Sequence, residues 1–182
     1  MPLIHTETNK SPLYCKYCRQ HLSKYQERQV STTYQFRCRY CNVTRTEYQV
    51  AAKVAPSSVR HMKIGAVRDS IWYHATKNSN WHEDKDGFDN PVYIGTRSAA
   101  NRRWSDLTSG STRPLKYWMY KVRLKDGVKI HPRVLMDDYV SSGTVQKAHS
   151  SAVRFVNLFE SPGSISIALP GEFIEIIDCK EL

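Results

Sequence analysis

Ser70-Ile71-Trp72-Tyr73-His74-Ala75-Thr76 reads as a short buried strand, because aromatic and β-branched residues crowd it and it ends at a polar segment. Alternate residues of a strand share a face, so His74 and Thr76 present two hydrogen-bonding side chains from one side of a rigid element. A histidine among aromatic neighbours is also the common form of an inert core histidine. The run by itself supports either role.

Outward from this strand, the chain to Asn90 is polar and rich in Asp, Asn and Gly, as a loop at the mouth of a cleft would be. Pro91-Val92-Tyr93-Ile94-Gly95-Thr96 reads as the next strand, and 98–104 as a helix behind a Thr or Ser cap. Residues 116–124 alternate into a long strand with Lys125-Asp126-Gly127 as its turn, after which Val128-Lys129-Ile130-His131-Pro132 starts a return. Residues 152–157, 164–169 and 172–177 form three more strands, divided by Pro-Gly turns. Strands without regular intervening helices argue against a doubly wound parallel sheet and point to an α+β fold in which strands dominate.

The first third of the chain has a different character. Cys15-Lys16-Tyr17-Cys18 and Cys38-Arg39-Tyr40-Cys41 are two Cys-x2-Cys knuckles with 19 residues between them, the spacing by which two short hairpins grip one zinc ion. Cys15, Cys18, Cys38 and Cys41 are the expected ligands, and four thiolates leave no open position, so the zinc is structural. Two disulfides are the competing reading. No secretory leader precedes the knuckles, and Cys179 would be left over as packing or a free thiol. A small β-rich zinc ribbon, 1–54, is therefore expected to precede a compact domain, 60–182, with Pro56, Ser57 and Ser58 in the connector.

Charge reinforces that division. The chain carries a formal net charge of +10 and an isoelectric point near 9.4. Residues 1–53 hold nine lysines and arginines against three glutamates, together with seven tyrosine and phenylalanine rings. Cationic charge beside flat rings suits nucleic acid, DNA or RNA, as a partner; packing of the hairpins and solubility are the plainer explanation. No apolar run approaches a membrane span, so a cytoplasmic protein is expected. No Gly-rich phosphate loop, His-Glu-x-x-His helix or Gly-x-Ser-x-Gly turn occurs, which argues against a kinase, a metalloprotease or an α/β-hydrolase. His131 reads as structural, and His61, His82 and His149 as surface residues.

Taken in order, Tyr73-His74-Ala75-Thr76, a loop, Val92-Tyr93-Ile94-Gly95-Thr96 leading into a helix with Ala99-Ala100, and an aromatic strand ending Lys121-Val122-Arg123-Leu124 resemble the diphtheria-toxin branch of the ADP-ribosyltransferase superfamily. The resemblance runs from about residue 71 to the C-terminus. It implies a split, bent pair of β-sheets holding NAD between them, a glycosyl transfer from NAD, and settings that include toxins. His74, Ala75, Thr76, Tyr93 and Thr96 would contact the NAD, with His74 on the ribose next to nicotinamide and Tyr93 stacked on the nicotinamide ring.

The resemblance lays the catalytic glutamate of that branch on Arg154. Glu160 is the first candidate to supply the carboxylate instead, with Glu172 after it. Alternatively Arg154 acts as an arginine, as in RNA 2′-phosphotransferases of the same fold, helped by Arg97, Arg102 and Arg103; Tyr73 before His74 departs from the Arg-His pair of those enzymes. The expected catalytic set is His74, Tyr93, Glu160 and Arg154. A non-catalytic nucleic-acid-binding protein is the rival expectation, and oligomeric state is not legible.

Overall fold

The computed structural model describes residues 3–5, 13–15, 25–30, 33–37, 41, 44–46, 51–85, 91–108, 116–135, 151–157 and 163–182. The N-terminal part contributes six short strands, β1 (Leu3–His5), β2 (Leu13–Cys15), β3 (Tyr25–Val30), β4 (Thr33–Arg37), β5 (Thr44–Thr46) and β6 (Ala51–Lys53). Strands β1, β3, β4 and β5 lie side by side in that order, each antiparallel to its neighbour. The other two, β2 and β6, pair with each other, Cys15 opposite Ala51.

A 3-10 helix, Pro56–Met62, follows with Pro56 in its first turn, where a missing N–H costs nothing. Next come α1 (Ile64–Arg68), β7 (Trp72–Thr76), α2 (Trp81–Asp84), β8 (Val92–Gly95), α3 (Arg97–Thr108), β9 (Trp118–Leu124), β10 (Lys129–Leu135), β11 (Ser151–Val156), β12 (Ile165–Leu169) and β13 (Ile174–Glu181). The last seven strands make one sheet in the order β10-β11-β12-β8-β7-β9-β13. Among the described residues of this sheet the β10–β11 pair is parallel and the other pairs are antiparallel. The protein is thus a mixed α+β fold with a seven-stranded, mostly antiparallel sheet and few helices among the described residues.

Three local expectations change in the tertiary structure. Val128-Lys129-Ile130-His131-Pro132 does not return beside β9, whose two edges are already taken by a five-residue ladder to β7 and a seven-residue ladder to β13. The strand it begins, β10, instead occupies the far edge of the sheet. The polar stretch before Asn90 contains the helical turn α2, and its Trp81 is 2% exposed. The segment expected to connect two units packs inward: Val54 lies in the main core, and Val59 and Met62 press against it.

Residues from both ends of the sheet share that core. Val92, Ile94, Ile165, Ile167 and Leu169 come from its first four strands, and Trp72, Tyr120, Val122, Leu124 and Ile174 from the last three. The two groups of strands meet at a narrow seam, because the only register pair between β7 and β8 is Tyr73 opposite Gly95. Residues 170–173 carry the chain from one group to the other, anchored where the Lys125 N–H donates to the Phe173 carbonyl at 2.9 Å.

At the seam Gly95 has a packing reason. A Cβ there would stand 2.8 Å from Ser166 Oγ and 3.1 Å from the Ala99 Cβ of α3. Helix α3 is seated through Ala99, Ala100 and Trp104, all buried, and Trp104 stacks on Tyr117 with centroids 4.1 Å apart.

Candidate functional site

Past the Tyr73–Gly95 pair a backbone ladder would continue with His74 beside Ile94. Instead the His74 side chain bridges the strands: its Nδ1 lies 2.8 Å from the Tyr93 carbonyl oxygen. A carbonyl only accepts, so Nδ1 carries the proton and donates, and the lone pair of the neutral ring sits on Nε2. The ring stacks face to face on Trp81, with centroids 4.2 Å apart and planes 17° off parallel. Burial pushes the imidazole down to about 4, only partly opposed by the hydrogen bond to Tyr93. At neutral pH His74 is therefore an uncharged group with one nitrogen committed to the fold and one able to accept a hydrogen bond.

Side chains alternate along each strand, which sets the surroundings of the seam. Trp72 and His74 lie on the core face of β7, where Tyr120 stands opposite His74. Tyr93 leaves β8 on the other face from Val92 and Ile94. It is 43% exposed and meets Phe155 edge-on, with centroids 6.0 Å apart. The two residues meet through the Tyr93 carbonyl rather than through their rings.

Both threonines of the expected NAD-contacting set have local backbone tasks. Thr76 Oγ1 accepts from the Asn78 N–H at 3.1 Å, closing a turn, and Thr96 Oγ1 accepts from the Ala99 N–H at 3.3 Å, capping α3. Ala75, next to Thr76 on β7, is half-buried. Arg97, Arg102 and Arg103 are exposed on α3, within the element that follows Tyr93.

Arg154 lies elsewhere. It stands on the core face of β11 between Ala152 and Val156, 1% exposed. Its Nη1 donates to the carbonyls of His61 and Met62, and its Nη2 to those of His131 at 3.1 Å and Pro132 at 2.9 Å. The first two carbonyls end a 3-10 helix and the other two sit where β10 bulges away from β11 between Ile130 and Val134, so all four lack ladder partners. The arginine satisfies backbone that the fold leaves open, and its Nε is buried without a partner.

The remaining carboxylate candidates precede and follow β12 in the chain. Glu160 is outside the described residues; among those that flank it in the chain, the Asn157 N–H donates to Ser164 O and the Gly163 N–H to Asn157 O, both at 2.8 Å. Asn157 Nδ2 adds bonds to Ser164 Oγ and Ser166 Oγ, each 2.8 Å. Glu172 is exposed in the Gly171–Phe173 turn. His61, expected at the surface, is 3% exposed and packs on Trp72, because the segment that carries it is part of the core.

Two of the four expected zinc ligands, Cys18 and Cys38, also lie outside the described residues. Cys15 and Cys41, one from each knuckle, have their sulfurs 3.7 Å apart. A disulfide holds sulfurs about 2.0 Å apart. Two thiolates on one tetrahedral zinc, each about 2.3 Å from the metal, stand about 3.8 Å apart. The residues present fit a zinc ion. No family model, characterised protein or solved structure matches the chain.

Proposed function

We propose that the protein is an NAD-dependent ADP-ribosyltransferase acting on nucleic acid or on a protein bound to it. The observation that carries the reading is the single-pair seam between β7 and β8, bridged by His74 Nδ1–H to the Tyr93 carbonyl. A narrow seam suits the split sheet that the resemblance to the diphtheria-toxin branch implies, and it leaves His74 Nε2 as an acceptor for a ribose hydroxyl. Tyr93 acts here chiefly through its carbonyl, which fixes the tautomer, while its exposed ring flanks the far side of the seam.

In the reaction the bond from ribose to nicotinamide breaks, its electron pair leaves with nicotinamide, and a nucleophile on the target bonds to the ribose carbon and loses a proton. Binding that holds the ribose and a carboxylate that steadies its hydroxyl supply the catalysis. Glu160 is the carboxylate we assign first and Glu172 second. The arginine at the glutamate position of the family is consumed by backbone carbonyls, which removes it from a phosphotransferase role.

The cysteine knuckles hold a structural zinc, and their basic surroundings bring the protein to nucleic acid. Arg154 is also the observation that favours the rival reading, a binding protein that keeps the fold without the chemistry. Nicotinamide release from NAD by the zinc-loaded full chain, with and without DNA and RNA, separates the two. Release with an ADP-ribose adduct seen by mass spectrometry, lost in His74→Ala and in Glu160→Gln, is the expected result. No release under any condition, together with salt-sensitive binding to oligonucleotides, overturns the transferase in favour of the binding protein.

A further inference from the structure

Trp81 sits between two rings. One face stacks on His74 at 4.2 Å, and Tyr120 tilts against it at 4.8 Å and 53°. Trp81 is 2% exposed and Tyr120 1%, so neither is a surface ring that meets His74 by chance. The Tyr120 hydroxyl donates to the Ser79 carbonyl at 2.7 Å, pinning the turn from which α2 starts. That turn is also closed by the Asn80 N–H on Asn78 Oδ1 at 2.9 Å and by Asn78 Nδ2 on Asp84 Oδ2 at 2.8 Å. The strand that carries His74, the turn that carries Trp81 and the strand that carries Tyr120 are thus joined in a closed circuit of ladder, hydroxyl and ring contacts.

Such a circuit does more than fill space. An imidazole free to flip about its χ2 axis would put the Cδ2–H where Nδ1–H now meets the Tyr93 carbonyl, lose that bond and exchange tautomers. A ring clamped face-on by indole keeps Nδ1 on the Tyr93 carbonyl and leaves Nε2 as the uncommitted nitrogen. We infer that Trp81 and Tyr120 are positioning residues for His74, holding its ring in the one orientation and tautomer that leaves Nε2 as a hydrogen-bond acceptor. The inference rests on the reading of His74 as the ribose-binding group, and the experiment below keeps the two apart.

Among the described residues, few titratable groups surround His74. From β9 there is Tyr120, whose hydroxyl burial and then the neighbouring Cys179 push up to about 12, so that it stays protonated. From α2 there is His82, 6.3 Å from the Tyr120 ring and exposed, within 3.4 Å of Glu83, and Asp84 bonded to Asn78. On β8 the contact is the Tyr93 carbonyl, which does not titrate. No described carboxylate touches the His74 ring, so its protonation follows its packing.

The test is histidine 15N NMR of the zinc-loaded full chain across pH, for wild type, Trp81→Leu, Trp81→Phe and Tyr120→Phe, with NAD affinity measured on the same samples. In wild type His74 is expected as the Nδ1–H tautomer, titrating near 4. Trp81→Leu is expected to mix the tautomers and raise the titration toward the ordinary histidine value of about 6.5. Trp81→Phe, which keeps a ring under His74, and Tyr120→Phe, which loses only the hydroxyl, are expected to fall between. NAD affinity should drop roughly tenfold in Trp81→Leu and more at pH 6 than at pH 8.

A wild-type His74 that titrates near 6.5, or as the other tautomer, overturns the inference without any variant. A variant series that leaves tautomer and titration unchanged does the same. The expected tautomer and titration series with no NAD binding by wild type upholds the positioning and removes the transferase reading instead.

Discussion

His74 and Arg154 stand on opposite sides of the seam in one sheet, each on a rigid strand and each named by the resemblance as a catalytic position. Their fates differ. Every terminal nitrogen of Arg154 is taken up by a backbone carbonyl of the 3-10 helix or of the β10 bulge, and the side chain is sealed. His74 gives one nitrogen to the fold and keeps the other. A strand position does not make a site; what does is a polar group whose hydrogen-bonding capacity the fold has only half consumed.

The comparison breaks most easily at Arg154. Arg154→Met should cost about 3–5 kcal/mol, because a buried cation leaves and four carbonyls lose their donors together. Arg154→Lys should recover little, since an ammonium lacks the planar fork that reaches two pairs of carbonyls. Urea unfolding measures both, and a loss near zero would show that the carbonyls find other partners.

A smaller effect is expected at the seam itself. Gly95→Ala puts a methyl 2.8 Å from Ser166 Oγ and 3.1 Å from Ala99 Cβ, which forces β12 or α3 to give way at about 1–3 kcal/mol. NAD affinity should fall with it, because the seam positions the Tyr93 carbonyl. If thermal melts and NAD binding both match wild type, the single register pair is not the element that joins the two groups of strands.

Acid acts on two histidines of the fold at once. Burial pushes His61 and His74 down to about 4, Arg60 adding to the effect at His61. The unfolded chain takes up those protons near 6.5, so stability is full above about pH 6.5 and declines as pH falls through the window toward 4. Melting temperatures across that window should slope downward with acid, and the slope should shrink in His61→Gln and in His74→Gln. An unchanged slope in both variants would mean that other groups carry the acid sensitivity.

The least stability should be lost at His74. His74→Ala removes one hydrogen bond and one stacking contact, about 1 kcal/mol or less, while removing NAD binding. Calorimetry for NAD beside denaturant unfolding checks the pairing of a small structural cost with a large functional one. A stability loss as large as that of Arg154→Met would make His74 another structural clamp and erase the contrast.

Much of this was legible locally. The strands around His74, Tyr93, Met119, Phe155 and Ile167 and the helix carrying Ala99 follow from alternation and capping, which involve neighbours in the chain. The turn at Gly127, with φ of 77°, follows from a Lys-Asp-Gly sequence that supplies the one residue at ease there. Trp81 reads from sequence as part of a loop because the residues around it are polar, and nothing in a polar stretch announces that its one indole lies beneath a histidine.

By itself, the sequence determined the α+β character, the candidate strands and the cysteine knuckles with their basic surroundings, since composition, periodicity and short spacings are properties of neighbouring residues. Only the tertiary structure decided that β10 crosses to the far edge, that one residue pair joins β7 to β8, that Trp81 and Tyr120 frame His74, and that Arg154 serves backbone carbonyls. Those outcomes depend on which donors and edges remain open once distant segments have packed, and such long-range competition leaves no local mark in the chain.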